Sequence, residues 1–302
     1  MRSAVGCVLC ALLAGARVAA QESAKESAEP LTQPASVRGP IEDNSFLIEE
    51  AYNQEAGVVQ HISAFSVQRA TRAWAYAFTQ EWPLFSQRHQ LSFTVPVVSA
   101  GRGSGSGVGD IALHYRYQLA DGKRFGVLAA PRLSLLLPSG DARRERGAGG
   151  AGVQVNLPIT VEHSAHFVTH WNMGATLTPS ARNALGDEAT TRSYNAGASV
   201  IWLALSALNV MLEVAGSRDE AVSGPGERVP SRSLLLSPGI RGAIDFSSGL
   251  QIVPGIAVPI GIGPSRGDRR LFLYLSFEHP FSERGRRSLT PDSSGTLGAS
   301  RR

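Results

Sequence analysis

Apolar and polar residues alternate one by one along most of the chain between residues 56 and 281, and this period of two limits the possible folds more than any other feature. Because successive side chains of a strand point to opposite faces, such a stretch forms a strand with one apolar face. Helical periodicity is weak throughout, so the sequence predicts an all-β protein. The clearest stretch runs from Asp110 to Leu119, where the apolar residues are Ile111, Leu113, Tyr115, Tyr117 and Leu119.

Such segments recur about twelve times, and their lengths fit the roughly 9–11 residues with which a tilted strand crosses a bilayer. Short and long connections alternate along most of the chain, as in a barrel with short periplasmic turns and longer external loops. In a soluble protein, helices would have to cover so many apolar strand faces, and the sequence contains no convincing helix. The sequence therefore predicts a transmembrane antiparallel up-and-down β-barrel, with strands near 57–68, 72–82, 88–98, 109–119, 124–138, 150–162, 164–178, 191–205, 207–218, 231–244, 248–260 and 270–281.

Composition removes several other classes of protein. Charged residues make up 18% of the 302 residues, below the roughly 25% of a soluble domain. The apolar content is ordinary and the net charge is only +4, which argues against wholesale disorder. No apolar run reaches the 18 residues of a membrane-spanning helix. Basic residues form no helix and do not interleave with aromatic residues, so no nucleic-acid partner is expected.

The first twenty residues have the parts of a secretory signal peptide. Arg2 precedes an apolar run from Ala4 to Ala16, and Val18-Ala19-Ala20 provides small residues before Gln21. Cleavage is expected after Ala20, which removes both cysteines, Cys7 and Cys10, with the signal. An exported chain without cysteine needs no disulfide, so an extensive core or a closed sheet must hold it together.

The two flanks of the predicted barrel, residues 56–281, differ in charge. Residues 21–55 are acidic and form a periplasmic lead-in, whereas residues 282–302 are basic and form a flexible tail. Within the lead-in, Asp43 to Gln54 is either a short helix capped near Asn44 or Ser45 that packs at the periplasmic mouth, or an unstructured stretch. A helix at the mouth suggests a gate.

Three prolines, at positions 131, 238 and 254, fall inside predicted strands. Each removes a backbone donor from the ladder, and a closed barrel has no edge on which to place it. We expect bulges or kinks at these positions.

Three stretches resemble a known family. Gly107 to Tyr117, Pro131 to Asp141 and His170 to Ala175 are similar to the outer-membrane proteins named after the meta pathway of phenol degradation, and the resemblance covers roughly Phe46 to Phe281. It implies a barrel in the outer membrane of a Gram-negative bacterium and a porin-like transporter of small, often aromatic or apolar compounds. The transported solute does not follow from it.

The polar residues of the strands are the candidate functional residues. As inward-facing groups of both signs they form an interior network that either tunes a narrow passage or simply fills a small barrel. No catalytic, cofactor-binding or metal-binding residue is predicted. The candidate lumen-lining residues are His114, Arg116, Arg132, Glu162, His166, His170, Glu213, Arg241 and Glu278.

Two local patterns look like ligand sites but lack the necessary context. Gly147 to Gly152 matches a dinucleotide fingerprint by letters, yet a loop precedes it and a predicted strand follows it, where the chemistry needs a strand and then a helix. His166 and His170 share one face of a predicted strand about 13 Å apart, which is too far for one metal ion. Neither pattern predicts a cofactor or a metal.

The sequence thus favours an outer-membrane barrel through which small, weakly polar solutes diffuse. Outer-membrane lipid, the barrel-assembly machinery during insertion and the solutes are the expected partners. The alternative is a non-conducting structural barrel or an outer-membrane enzyme that acts on lipid. Catalysis is not expected, because serine and histidine are too scattered along the sequence to specify a nucleophile and base pair.

Overall fold

One antiparallel sheet runs through the chain in a computed structural model that describes residue 41 and residues 45–123 and 125–281. The predicted signal peptide and basic tail lie outside these residues. The strands form where apolar and polar residues alternate in the sequence. The strands, numbered here in chain order, are β1 (Val58–Gln68), β2 (Trp74–Leu84), β3 (Ser86–Ser99), β4 (Gly107–Val108 and Ile111–Tyr117), β5 (Val127–Ala129 and Arg132–Leu137), β6 (Gly152–Ser164), β7 (Phe167–Arg182), β8 (Glu188–Leu205), β9 (Leu208–Gly224), β10 (Glu227–Gly242), β11 (Gln251–Ala257 and Ile260–Gly261) and β12 (Arg270–Pro280).

Short elements complete the described part of the chain. Ala120–Asp121 and Ile244–Asp245 extend the hairpins β4–β5 and β10–β11. Two single-turn 3-10 helices, Ala142–Arg144 and Gly263–Ser265, lie in connections between strands. No helix among the described residues is long and apolar enough to cross a membrane.

The sheet closes on itself into a barrel of twelve strands. Each strand pairs with the next, and β12 pairs with β1 over the full length from Val58 opposite Pro280 to Gln68 opposite Arg270. Closure leaves no edge strand with unpaired backbone groups. The predicted fold class is confirmed.

The apolar face of each strand points outward. In β4, Leu113 and Tyr115 are exposed on the outside, whereas His114 and Arg116 are buried. A soluble sandwich would bury the apolar set instead. Apolar groups outside and polar groups inside are the pattern of a barrel surrounded by lipid.

The two ends of the barrel differ in their connections. At one end, called here the short-turn end, single residues or pairs such as Phe85, 165–166 and 206–207 join neighbouring strands. At the other, the long-loop end, connections such as 138–151 are extended. In outer-membrane barrels in general, the short turns face the periplasm.

Two of the long loops expected from the sequence, 179–190 and 218–230, are mainly strand. Strands β7 to β10 contain 16, 18, 17 and 16 residues, against 11 in β1. Ion pairs across the extended hairpins, such as Arg182 Nη2 to Glu188 Oε2 at 3.0 Å, tie them together outside the apolar band. Only 183–187 and 225–226 remain as turns, and Gly226 adopts a positive φ of 71° in the second.

The prolines interrupt the sheet less than expected. Pro131 breaks β5 between Ala129 and Arg132, as the sequence suggested. Pro238 and Pro254 lie within continuous stretches of β10 and β11, the latter opposite Leu275 of β12. The pairing of β10 with β11 is interrupted at Pro238: it includes Leu235 and Leu236 and resumes at Gly239. The missing N–H donor of the proline therefore affects the pairing of β10 on one side only.

Candidate functional site

Residues 45–56, called here the lumen segment, run inside the barrel. They form neither a helix nor a strand, so the helix expected in this stretch is absent from its described part. Ser45, Ile48, Glu50, Ala51 and Asn53 are all buried. Buried backbone groups outside regular structure need other hydrogen-bond partners, and inward side chains of the wall provide them.

Glu213 of β9 holds the beginning of the lumen segment. Its Oε1 accepts hydrogen bonds from the backbone N–H groups of Leu47 at 2.8 Å and Ile48 at 3.1 Å. The Ser45 and Ser199 hydroxyls lie 3.0 Å apart, which attaches the segment to β8 as well. Glu213 is completely buried, so these donors replace water around one of its oxygens.

Neutral polar side chains hold the middle of the lumen segment. Asn172 of β7 accepts from Glu49 N at 2.9 Å and donates Nδ2 to Glu49 O at 2.8 Å, the pairing that a neighbouring strand would supply. Ala51 N donates to Thr160 Oγ1 of β6 at 2.9 Å, and that hydroxyl lies 2.7 Å from His170 Nδ1. The wall thus replaces backbone partners with amides and hydroxyls.

Arg116 of β4 binds the segment at four points. Its Nε donates to Asn53 Oδ1 at 2.9 Å and its Nη1 to Glu50 O at 3.2 Å, while Nη2 reaches Tyr52 O. Nη2 also lies 3.5 Å from the Glu50 carboxylate, and both side chains are about 5% exposed or less. In a second ion pair, Arg132 Nη1 lies 2.7 Å from Glu49 Oε1.

The end of the segment is bound by glutamines and glutamates. Gln118 Oε1 accepts from Asn53 N at 3.1 Å and Gln90 Oε1 accepts from Gln54 N at 2.7 Å. The Gln54 side chain donates to Glu278 of β12, and the Tyr52 hydroxyl donates to Glu162 of β6 at 2.9 Å. The lumen segment therefore runs inside the barrel with hydrogen bonds to strands on several sides.

Phe46 is the apolar anchor of the segment. Its ring lies 5.5 Å from the ring of Phe272 and 5.6 Å from that of Tyr274, in tilted contacts. Gly239 and Gly255 face the same ring, and a Cβ atom at either position would overlap it. The two glycines make room for an aromatic side chain at the inner wall.

Replacing Gly255 by alanine is expected to loosen the lumen segment while the ladder stays intact. The added Cβ would lie 2.5 Å from Cε1 of Phe46, so the ring must leave its two aromatic partners, contacts worth about 0.5–1.5 kcal/mol each. In a chain carrying Ser45→Cys, we expect a water-soluble maleimide to label that cysteine roughly tenfold faster.

Gly216→Ala is the matched control for this substitution. Gly216 faces outward, and the nearest heavy atom to an added Cβ is 3.4 Å away, so labelling should not change. Equal labelling rates in the Gly255→Ala and Gly216→Ala chains would contradict the role assigned to Phe46.

Two cavities lie beside the lumen segment. One of about 240 Å³ is lined by Phe46, Glu49, Ile62, His114 and Tyr274, together with other inward residues of β1 to β5 and β12. The other, of about 450 Å³, lies at the short-turn end and includes Ile41, Tyr52 and Arg241. Space for small molecules is thus present inside the wall.

The structure places the nine candidate residues in different ways. Arg116, Arg132, Glu162, Glu213 and Glu278 contact the lumen segment directly. Arg241 Nη2 donates to Ile41 O at 3.2 Å, and His170 reaches the segment through Thr160. His114 lies in the wall between Ser134 and Thr94, while His166 lies in the exposed turn between β6 and β7 and not on the inner face.

Sequence reasoning passed over four neutral residues that bind the segment backbone: Gln90, Gln118, Thr160 and Asn172. All four are buried, which is unusual for neutral polar side chains. Their position on the polar side of alternating strands was the available signal, but charged residues alone were chosen as candidates.

Neither look-alike motif has the structural context that its ligand would need. Residues 147–151 lie in the loop before β6, and Gly152 is the first residue of that strand. Across the described part of the chain, no three His, Cys, Asp or Glu side chains come together as they would around a metal ion.

Comparison with solved structures shows a similar fold. An outer membrane channel from Pseudomonas putida F1 superposes with a TM-score of 0.53 at 12% identity, covering 76% of this chain and 97% of that one. The NanC porin and the KdgM porin are less similar, with TM-scores of 0.48 and 0.46; each is 7% identical and covers 72% of this chain and 98% of its own. No family model matches the chain, and no curated protein matches it in sequence.

Proposed function

We propose that this protein is an outer-membrane channel for small, weakly polar solutes whose passage is closed by its own lumen segment. One observation carries the proposal: apart from its apolar anchor Phe46, the segment is bound to the inner wall by hydrogen bonds and two ion pairs. Polar contacts of this kind are exchanged for water with little net cost. A segment held in this way is suited to release.

The side chains that line the lumen are the argument for weakly polar solutes as the transported class. One sector, formed by β1, β11 and β12, presents Ile62, Val253, Phe272 and Tyr274 to the lumen, where they pack into one apolar cluster with Phe46. The opposite sector presents amides, hydroxyls and arginines. A passage between an apolar and a polar sector accepts aromatic solutes that carry a few polar groups.

Location and family membership are part of the same proposal. The outward apolar band calls for lipid around the barrel, and the predicted signal at residues 1–20 would export the chain to the periplasm, from which the assembly machinery inserts it. The resemblance to the phenol meta-pathway family and the fold shared with the Pseudomonas putida channel support membership of that group of transporters.

The test has two parts. Unheated protein from the membrane fraction should migrate differently from boiled protein in a gel, as a closed barrel does. Proteoliposomes should then admit L-phenylalanine several times faster than L-glutamine, a solute of similar size with a polar side chain.

Liposomes containing heat-denatured protein are the control for leakage. If neither solute enters through the full chain or through a chain lacking residues 21–55, the protein is a non-conducting structural barrel. Faster entry of glutamine would leave the channel in place and remove the assignment of weakly polar solutes.

A further inference from the structure

A groove crosses the outer wall of strands β7 to β10. Its floor consists of small residues, Ala196 and Ala198 of β8 and Gly216 of β9. Trp171 and Met173 of β7 stand beside it on one side, and Leu234 of β10 on the other. The groove has a volume of about 740 Å³. Small residues between large ones create a depression where the rest of the wall is covered by protruding side chains.

Arginines border the groove toward the long-loop end. Arg218 of β9 stands directly opposite Arg232 of β10, and Tyr194 of β8 stands opposite Arg218 on the other side. All three are on the outward face, one step beyond the row Ala196, Gly216, Leu234. Residues directly opposite each other are about 5 Å apart, and like charges in such positions destabilise a sheet.

Only part of this positive charge is neutralised. Glu220 pairs with Arg218 at 3.2 Å and with Arg228 at 3.3 Å. Within the described part of the chain Arg232 forms no ion pair. Arg192 lies on the same outward face beside Glu220, so four arginines and one glutamate leave a formal charge of +3. An anion placed between the guanidinium groups would relieve the repulsion and complete the pairing.

We propose that this groove binds a phosphorylated glycolipid with several acyl chains, the kind of lipid that would face the long-loop end in an outer membrane. The arginines bind its phosphates, because guanidinium and phosphate form paired hydrogen bonds. The apolar groove takes the acyl chains. This inference rests on the outer-membrane location proposed above, but not on conduction.

Two features favour a glycolipid over a glycerophospholipid with one phosphate and two chains. The residual positive charge exceeds what a single phosphate diester would neutralise. The groove spans four strands, roughly 14 Å at ~4.8 Å between neighbours, which is wide enough for more than two acyl chains side by side.

The test measures lipid binding to the purified full chain in detergent. Hexa-acylated bisphosphoryl lipid A is the probe, and the rise in the temperature at which the folded gel band disappears is recorded against lipid concentration. We expect R218Q/R232Q to weaken the apparent affinity at least tenfold. The control R102Q/R143Q removes two exposed loop arginines from the same end and should bind as the unaltered chain does.

Further variants keep the test decisive. R232Q alone breaks no ion pair of the described residues and should still weaken binding, whereas A196L fills the floor of the groove and should weaken it with every charge retained. Equal affinity of R218Q/R232Q and R102Q/R143Q would overturn the site. Equal affinity of the unaltered chain for phosphatidylglycerol would overturn the glycolipid assignment. A barrel that conducts nothing would still bind the lipid, so the two proposals fail separately.

Discussion

Removal of residues 21–55 is expected to raise the single-channel conductance of the barrel in a planar bilayer by about an order of magnitude. Twelve strands spaced ~4.8 Å apart and tilted by ~40° form a backbone cylinder of about 12 Å radius, of which inward side chains leave roughly half. The lumen segment crosses that space, and Glu50, Ala51 and Asn53 are buried within it. Without the segment, water and ions occupy its place.

A disulfide that fixes the lumen segment to the wall is the complementary control for the deletion. The Ser45 and Ser199 hydroxyls lie 3.0 Å apart, so the pair Ser45→Cys and Ser199→Cys is close enough to bridge. The oxidised chain should show only the small basal current, and reduction should return the behaviour of the unaltered chain. If the shortened chain conducts no better than the full one, the lumen segment does not close the passage.

Replacing Arg116 by methionine is expected to shift the closed barrel toward the open state by two orders of magnitude or more. The substitution removes the hydrogen bonds to Asn53 and to the Glu50 and Tyr52 carbonyls, and it takes the guanidinium from the buried Glu50 carboxylate. Losing one partner of a buried ion pair costs about 3–5 kcal/mol, and ~1.4 kcal/mol is tenfold in an equilibrium. Release of the segment returns Glu50 to water. The ratio of open to closed dwell times in single-channel recordings measures the shift.

The double variant R116M/E50L separates charge from packing. When both partners become apolar no buried charge is left alone, so the closed state should recover much of its stability. Arg102→Met removes an exposed loop arginine and serves as the control for net charge. An R116M channel whose dwell times match those of R102M would show that Arg116 does not hold the segment.

The barrel wall was predictable from the sequence because its cause is local. A period of two is visible within ten residues, as in Asp110 to Leu119, and the closed sheet follows from a dozen such stretches. Errors arose where charge interrupts the pattern. The ends of β7 to β10 were predicted as Gly/Ser/Arg-rich loops, yet charged side chains there pair across the extended hairpins, as Arg182 does with Glu188 and Arg228 with Glu220.

The site was less predictable because its contacts are distant in the chain. Gln54 binds Glu278, 224 positions away, and no short-range pattern signals such a contact. The acidic character of the lead-in was visible, but its partners Arg116 and Arg132 lie in different strands. His166 shows that a small error in a strand boundary changes the predicted position of a side chain. β7 begins at Phe167 and not at residue 164, so His166 lies in a turn and not on the inner face.

The position of the lumen segment ahead of every strand has a consequence for the order of folding. Ser45 and Ser199 are 154 positions apart, and Leu47 reaches Glu213 across 166. Contacts so far apart in sequence form late, because the intervening chain must be ordered first. The segment is made before the wall, but its partners exist only once β3 to β12 are in place. The segment can therefore complete its contacts only when strands from across the whole wall have come together.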